Sequence, residues 1–193
     1  MSDKNLFLIA GPNGAGKTTS SFPMLKKFSI DEYVNADAIA YGLSPLQYDT
    51  VAIKSGRLML ERIHYLLEQN KSFAFETTLA SRSFVNLIQQ AKKQNYNVSL
   101  IFLWLDNVEL ALERVEHRVE AGGHDIPRKT VIRRYEKGLK NFFDLYAPIV
   151  DRWSFYDNSR SSPNLIAEKL HGALLDVHNT KLWEFLSKHG DKK

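Results

Sequence analysis

The sequence predicts an α/β domain built on a parallel sheet with helices on its faces, and three observations carry that reading. Short apolar runs alternate with longer stretches of helical spacing, the pattern of strands joined by helices. No internal repeat and no Gly/Ser/Pro linker divides the 193 residues, a length that suits a single domain with a mobile lid. Directly behind the first apolar run, Gly11-Pro12-Asn13-Gly14-Ala15-Gly16-Lys17-Thr18 matches G-x-x-x-x-G-K-[ST], a loop that holds nucleotide phosphates. Together they specify a P-loop NTPase/kinase fold with a five-stranded parallel sheet flanked by helices.

Each element has a local reason. Leu6-Phe7-Leu8-Ile9 reads as the first strand, and a helix from Lys17 to about Phe28 follows the loop. Tyr33-Val34-Asn35 is a short second strand that ends just before Asp37. Asp49 to Gln69 has Ile53, Leu58, Leu60, Ile63, Leu66 and Leu67 at helical spacing. Phe73-Ala74-Phe75 is the third strand and ends at Glu76; a helix covers Ser83 to Gln94; Val98 to Leu105 is the fourth strand. Asp106 with Glu109 three residues on reads as a capping box for the next helix, which stops at Gly122-Gly123, a pair suited to a helix end and hinge. Pro127 opens a further helix with Ile132, Tyr135, Leu139, Phe142 and Tyr146 on one stripe. Trp153-Ser154-Phe155-Tyr156 is the fifth strand, and Ser162-Pro163 is expected to cap a C-terminal helix.

Composition narrows the function classes. At 44% hydrophobic and 25% charged residues the chain matches an ordinary soluble domain, and the longest apolar run, Leu100 to Leu105, is far too short to cross a bilayer. Without cysteine, disulfides and thiolate chemistry are excluded. The passage from Met1-Ser2-Asp3-Lys4 straight into a strand-like run leaves no room for a signal peptide, so a cytoplasmic location is expected. The formal charge is +4, a basic balance that can indicate nucleic acid. Six Lys/Arg against one Asp/Glu fall between residues 128 and 140, directly after the glycine hinge. Their helix buries its other stripe, so phosphate binding in a lid over residues 114–140 explains the basicity without a nucleic-acid partner.

The loop implies its own chemistry. Gly11 to Thr19 wraps the phosphates with backbone N–H groups, Lys17 reaches the outer phosphates, and the Thr18 hydroxyl holds Mg²⁺. The Lys17 side chain is expected to stand exposed in the cleft. A guanine-reading N-K-x-D motif and the signature helix of transporter ATPases are both absent, and motor ATPases need longer chains. A small kinase remains. In such kinases the ends of the strands beside the loop strand carry acceptor-binding groups, and the strand next to it is expected to be the third. Asp37 is then the general base on an acceptor hydroxyl, in competition with a role as N-cap of a short helix at residues 38–41. Glu76, in "FETT", holds the Mg²⁺ shell or the acceptor, in competition with strand-end capping. Asp106 resembles a metal-linked aspartate, but its capping box accounts for it. Arg114 and Arg118, four apart, share a helix face and are suited to grip the γ-phosphate; the alternative is pairing with Glu113, Glu116 and Glu120. His124 either contacts phosphate or shapes its turn.

"AGPNGAGKTT", "NADAIA", "FETTLASRS", "RVEHRVEAGGHDIP" and "YDNS" together resemble the zeta-toxin family of P-loop kinases, in order from about residue 5 to 160, and especially its short stand-alone bacterial branch. The resemblance implies phosphorylation by ATP of the sugar 3′-hydroxyl of UDP-N-acetylglucosamine, and a small antitoxin protein that blocks the ATP site. It makes Lys17 and Thr18 the ATP and Mg²⁺ ligands, Asp37 the catalytic base, and Glu76 and Thr78 the nucleotide-sugar contacts. Arg114 matches the first phosphate-gripping arginine, with Arg118 beside it. His124 stands where a second arginine is expected, which leaves Arg118 or Arg128 to replace it. Two other readings stay open: a P-loop kinase for another hydroxyl (a nucleoside, an antibiotic, a polynucleotide 5′ end), and an ATP-binding regulatory protein with little transfer activity.

Overall fold

A computed structural model describes residues 4–45, 47–170, 172 and 174–188; Met1-Ser2-Asp3, which leads into the first strand, lies outside them. The elements run β1 (Lys4–Ala10), α1 (Lys17–Lys27), β2 (Glu32–Val34), α2 (Ala36–Leu43), α3 (Tyr48–Glu68), β3 (Phe73–Thr77), α4 (Phe84–Lys93), β4 (Tyr96–Trp104), α5 (Val108–Glu120) and α6 (Arg128–Asn141). A π-helical turn (Phe142–Tyr146), β5 (Arg152–Asp157), β6 (Asn164–Lys169), β7 (Leu175–Val177) and α7 (Thr180–Ser187) complete the described chain.

The sheet order is β2-β3-β1-β4-β5-β6-β7. The first five strands in that order are parallel, and β1 to β4 are each followed by helices that cover the sheet. β1 lies between β3 and β4, with Ala10 opposite Thr77 on one side and Phe102 on the other. The third strand is thus beside the loop strand, as expected, but so is the fourth. The carboxyl ends of three strands therefore meet under the loop at the point where the chain changes direction across the sheet, where α/β folds bind ligands.

The sheet has seven strands, not five. Residues 164–169 contain good helix formers and follow Ser-Pro, yet they form β6, antiparallel to β5. The open edge of β5 supplies a row of unpaired N–H and C=O groups, and satisfying it overrides a modest local helix preference. β7 then pairs with β6. The C-terminal helix lies later in the chain, as α7, capped by Asn179, whose Oδ1 accepts from the Leu182 N–H.

One cap and one helix face also differ from expectation. α5 is capped by Asn107, which accepts from the Leu110 N–H at 2.7 Å, not by Asp106; the Asp106 N–H donates to Ser159 Oγ instead. On α3, Met59, Ile63, Leu66 and Leu67 face the core, whereas Ile53 and Leu60 are exposed.

α6 sits against the segment after β3 at backbone distance. A Cβ on Gly138 would lie 2.4 Å from the Thr78 carbonyl oxygen, and Asn141, three residues on, donates from Nδ2 to the Leu79 oxygen at 2.6 Å. The π-helical turn then drives Phe142 among Phe102, Trp153 and Phe155 and buries Tyr146, whose hydroxyl donates to the Ser81 oxygen. Burying such side chains contributes about 1.5–3 kcal/mol each. Ala favours a helix over Gly by about 1 kcal/mol, so Gly138→Ala would stabilise an unconstrained helix. Here the methyl group meets a carbonyl, and a net loss of roughly 1–3 kcal/mol is expected in urea unfolding, as for overpacked cores.

Candidate active site

The loop from Gly11 to Thr18 takes its shape from two constraints. Gly11 has φ +143°, and a Cβ there would lie 2.2 Å from the Leu103 carbonyl oxygen, so only glycine lets the loop leave β1 so close to β4. Gly14 has φ +78°, a turn that points successive N–H groups inward. The loop is then fastened from the far side of the sheet. Asn158, just after β5, donates from Nδ2 to the Ala15 oxygen at 2.8 Å. Arg114 on α5 donates from Nη1 to the oxygens of Asn158 (3.0 Å) and Gly14 (3.4 Å), and from Nη2 to that of Ser159 (2.9 Å). Among the described residues its hydrogen bonds go to backbone and not to the glutamates of its own helix. His117 is the residue that pairs with Glu113 and Glu120.

Glu76 is the charge centre of the site. One carboxylate oxygen, Oε2, accepts from Thr18 Oγ1 (2.8 Å), Asn35 Nδ2 (2.8 Å) and the Tyr33 hydroxyl. The other lies 3.6 Å from Lys17 Nζ. Burial and the adjacent Glu76 charge push the Tyr33 hydroxyl well above the usual tyrosine range, so it remains a donor throughout the physiological range. Lys17 is buried rather than exposed in the cleft, with 6% of its surface accessible, and donates to the Pro12 oxygen at 2.8 Å. Burial holds its ammonium below the usual lysine range against the opposing pull of Glu76 and Asp37. The reason is local: β3 delivers Glu76 directly beneath the loop, so the lysine folds down on it.

Asn35, not Asp37, caps α2. Its Oδ1 accepts from the N–H groups of Asp37 (2.7 Å) and Ala38 (3.2 Å), which leaves the Asp37 carboxylate in the first helical turn, half-exposed. The Asp37 carboxylate lies 3.7 Å from Arg118 Nη1. Arg118 also donates from Nη2 to the His124 oxygen at 2.7 Å, and its Nε is buried with no hydrogen-bond partner among the described residues. His124 is half-buried and Arg128 is exposed at the start of α6.

Three cavities meet here, and Asp37 lines all of them. One of about 280 Å³ is bounded by Gly14, Lys17, Thr18, Thr19, Arg114 and Arg118. A second, about 550 Å³, lies between Tyr41, Gln47, Thr50 and the turn at Gly122-Gly123-His124. A third, about 170 Å³, is lined by Asn13, Lys17, Glu76, Thr78, Phe84 and Arg134. The first has the size and polarity for phosphates. The Thr18 hydroxyl oxygen, backed by the fixed Glu76 carboxylate, suits a hard cation such as Mg²⁺.

Four functional positions escaped sequence reasoning as individuals. Asn35 and Asn158 sit inside "NADAIA" and "YDNS", but nothing in those strings says that one caps α2 and the other binds the loop. Tyr33 carries no signal beyond strand propensity. Arg134 is hidden among the six basic residues of α6.

This geometry is that of a P-loop kinase fold, a nucleotide-phosphate loop between two strand ends with an acidic group below it and arginines above it. Residues 2–161 match the model of the zeta toxin family, and the chain belongs to that family. It is 31% identical over 138 residues to an uncharacterized protein of Haemophilus influenzae, covering 70% of this chain and 94% of the other. The complex AvrRxo1-ORF1:AvrRxo1-ORF2 has been crystallised with sulphate ions and with ATP. Those chains superpose with TM-scores of 0.79 and 0.77 at 20% identity, covering 96% of this chain; this chain spans 64% of their length. The PezAT chromosomal toxin-antitoxin system of Streptococcus pneumoniae gives a TM-score of 0.63 at 14% identity, covering 98% of this chain and 86% of that one. Among the described residues no helix is long and apolar enough to cross a membrane.

The tether formed by Arg114 has a measurable consequence. Hydrogen bonds to a charged group contribute about 1.5–3 kcal/mol, so Arg114→Ala is expected to lower unfolding free energy by about 2 kcal/mol without any nucleotide present. Arg118→Ala, which removes a pair with a half-exposed carboxylate, is expected to cost under about 1 kcal/mol in the same urea titration.

Proposed function

We propose that the chain is an ATP-dependent kinase that transfers the γ-phosphoryl group to a sugar hydroxyl of a nucleotide sugar of the UDP-N-acetylglucosamine kind, as the toxin of a toxin-antitoxin pair. The observation that carries the kinase reading is the position of Asp37. Its carboxylate forms part of the wall between the phosphate cavity and the two neighbouring cavities, and the capping role that competed for it belongs to Asn35. A carboxylate on that boundary can accept the proton of an acceptor hydroxyl as its oxygen approaches the outer phosphate.

The residues divide the work as follows. The N–H groups of the loop and Lys17 hold the β- and γ-phosphates, and the Thr18 hydroxyl, oriented by Glu76, would hold Mg²⁺, which when bound offsets charge on the outer phosphates. Arg118 lines the same cavity, in place to meet charge that grows during transfer. Thr78 and Glu76, on the wall of the smaller cavity, hold the acceptor. Asp37 takes the hydroxyl proton, the acceptor oxygen bonds to the γ-phosphorus, and the bond to the bridging oxygen breaks with its electron pair leaving on ADP. The turn at Gly122-Gly123 supplies the joint on which the lid over 114–140 closes and excludes water. A small antitoxin partner is supported by likeness to the PezAT toxin-antitoxin system and to AvrRxo1-ORF1, crystallised together with AvrRxo1-ORF2.

Asp37→Asn tests the reading directly. Asparagine keeps the shape but not the basicity, and a general base contributes about 10²- to 10⁴-fold. ATP affinity by calorimetry should be retained, while phosphorylation of UDP-N-acetylglucosamine, followed by ³¹P NMR, should fall by that factor. Unchanged transfer in the variant would remove Asp37 from the mechanism. Wild-type protein that phosphorylates no member of a nucleotide-sugar panel would overturn the acceptor class.

A further inference from the structure

β6 and β7 lie beyond residue 161, outside the stretch that the family model matches, and they carry an imidazole and two carboxylates on one face. Asp176 stands on β7 directly opposite Glu168 on β6. His178 follows Asp176 by two positions, so its side chain shares that face. The His178 N–H donates to the Ile166 oxygen at 2.8 Å, which carries the pairing one residue past the strand. His178 Nε2 lies 3.6 Å from Asp176 Oδ2, and one ligand atom from each of the three residues lies within 4.8 Å of the others. Ser154, opposite Glu168 on β5, donates its hydroxyl to Glu168 Oε2 at 3.3 Å. None of these residues lines the three cavities at the phosphate loop.

Like charges directly opposite each other on a sheet are destabilising. Among the described residues neither carboxylate has a lysine or arginine within ion-pairing distance; Asp176 pairs with His178, and Glu168 takes the Ser154 hydroxyl. The imidazole offsets the repulsion only when it is protonated, whereas a dication meets both carboxylates and takes the neutral imidazole as a third ligand. The spacing suits such an ion. Metal–ligand bonds of about 2.0–2.2 Å in a tetrahedron put neighbouring ligand atoms roughly 3.4 Å apart, close to the separation of His178 and Asp176, and rotation of the Glu168 side chain closes the rest. The donor set selects the metal. Mg²⁺ and Ca²⁺ take oxygen ligands, while one imidazole with two carboxylates matches Zn²⁺ with water completing its shell. Glu168 also borders a cavity of about 310 Å³ beside Ser154 and Tyr156, which gives that water room.

We propose that Glu168, Asp176 and His178 form a zinc site that fastens the edge of the sheet, with Ser154 as the residue that positions Glu168. β7 is the last strand of the sheet, three residues long and paired to β6 alone. His178 immediately precedes Asn179, the cap of α7, and α7 lays Trp183 against Phe143, Trp153 and Phe155. A metal joining β6 to the turn before α7 therefore ties the edge strand and the last described helix to the aromatic core. The site owes nothing to nucleotide binding, so its fate and that of the kinase reading are separate.

The test uses the full chain, freed of metal by a chelator and titrated with Zn²⁺ by calorimetry in excess Mg²⁺, which occupies oxygen sites elsewhere. A single equivalent of Zn²⁺ should bind and raise the thermal unfolding midpoint, and amide exchange should slow across residues 164–169 and 175–187. His178→Ala and Asp176→Asn should each abolish that binding. Ser154→Ala should weaken it by about 10- to 100-fold, as loss of an outer-shell partner does. The control is His117, which lies between Glu113 and Glu120 on α5; His117→Ala should bind Zn²⁺ like wild type. Circular dichroism of each variant without metal separates lost binding from lost folding, and Asp176→Asn, nearly the same shape, carries the test should His178→Ala not fold. Wild-type protein that binds no Zn²⁺ overturns the site. So does binding that survives both ligand variants, or that disappears in His117→Ala. Unchanged affinity in Ser154→Ala removes Ser154 from it.

Discussion

The site depends on one carboxylate. Glu76 gathers the loop lysine, the hydroxyl behind it, a tyrosine from β2 and the asparagine that caps α2, and so ties the start of α1, β2, β3 and the start of α2 to a single point. An acidic group with little access to water is tolerated only when its lone pairs are met, and here three donors and an ammonium meet them. Removing the carboxylate would leave Lys17 buried and uncompensated, the more costly side of a buried pair. The same arrangement orders the loop: the Thr18 hydroxyl donates its proton backwards to Glu76, which leaves its lone pairs as acceptors among charges the fold has fixed.

A second constraint acts from the opposite side of the sheet. Asn158 and Arg114 hold the loop by its carbonyls, and α6 is pressed onto residues 78 and 79 at backbone distance. The loop is therefore clamped between β3 and the chain after β5, with the far half of α6 belonging to the core and the near half overhanging the cavities. A lid of the kind proposed would have little freedom at its α6 root, and would turn at Gly122, at φ +83° with open space around its Cα, between α5 and the stretch before Pro127.

What the sequence made legible was local chemistry. The loop motif, the strand ends at Asp37 and Glu76 and the paired arginines of α5 all follow from residue type and spacing, and each lies at the cleft. Less legible were the partners that depend on three-dimensional approach. Lys17 was expected in open cleft because a motif does not show the depth of the glutamate below it. Arg114 reads as a phosphate ligand by spacing alone; that its donors meet carbonyls at 14, 158 and 159 depends on where β5 ends. Residues 164–169 carry helix-forming side chains, and only the open edge of β5 makes them a strand. Asp106 and Asn107 are neighbours with equal capping ability, and the choice between them is made by Ser159, 53 positions away.

The distribution of arginines follows the same logic. An arginine that faces solvent gains little from position, so the basic run of α6 would be read as a single electrostatic feature. Burial separates its members: Arg134 is drawn inward because Gly138, lacking a side chain, lets its helix approach Thr78 until the preceding turn overhangs Asn13. The absence of one Cβ thus places a cation that sequence spacing alone could not distinguish from its neighbours. Asp37 and Glu76 line both small cavities beside the loop, one shared with Lys17 and Arg118 and the other with Lys17 and Arg134. The arginine that the helix contact turns inward therefore stands beside two carboxylates already paired with Lys17 and Arg118.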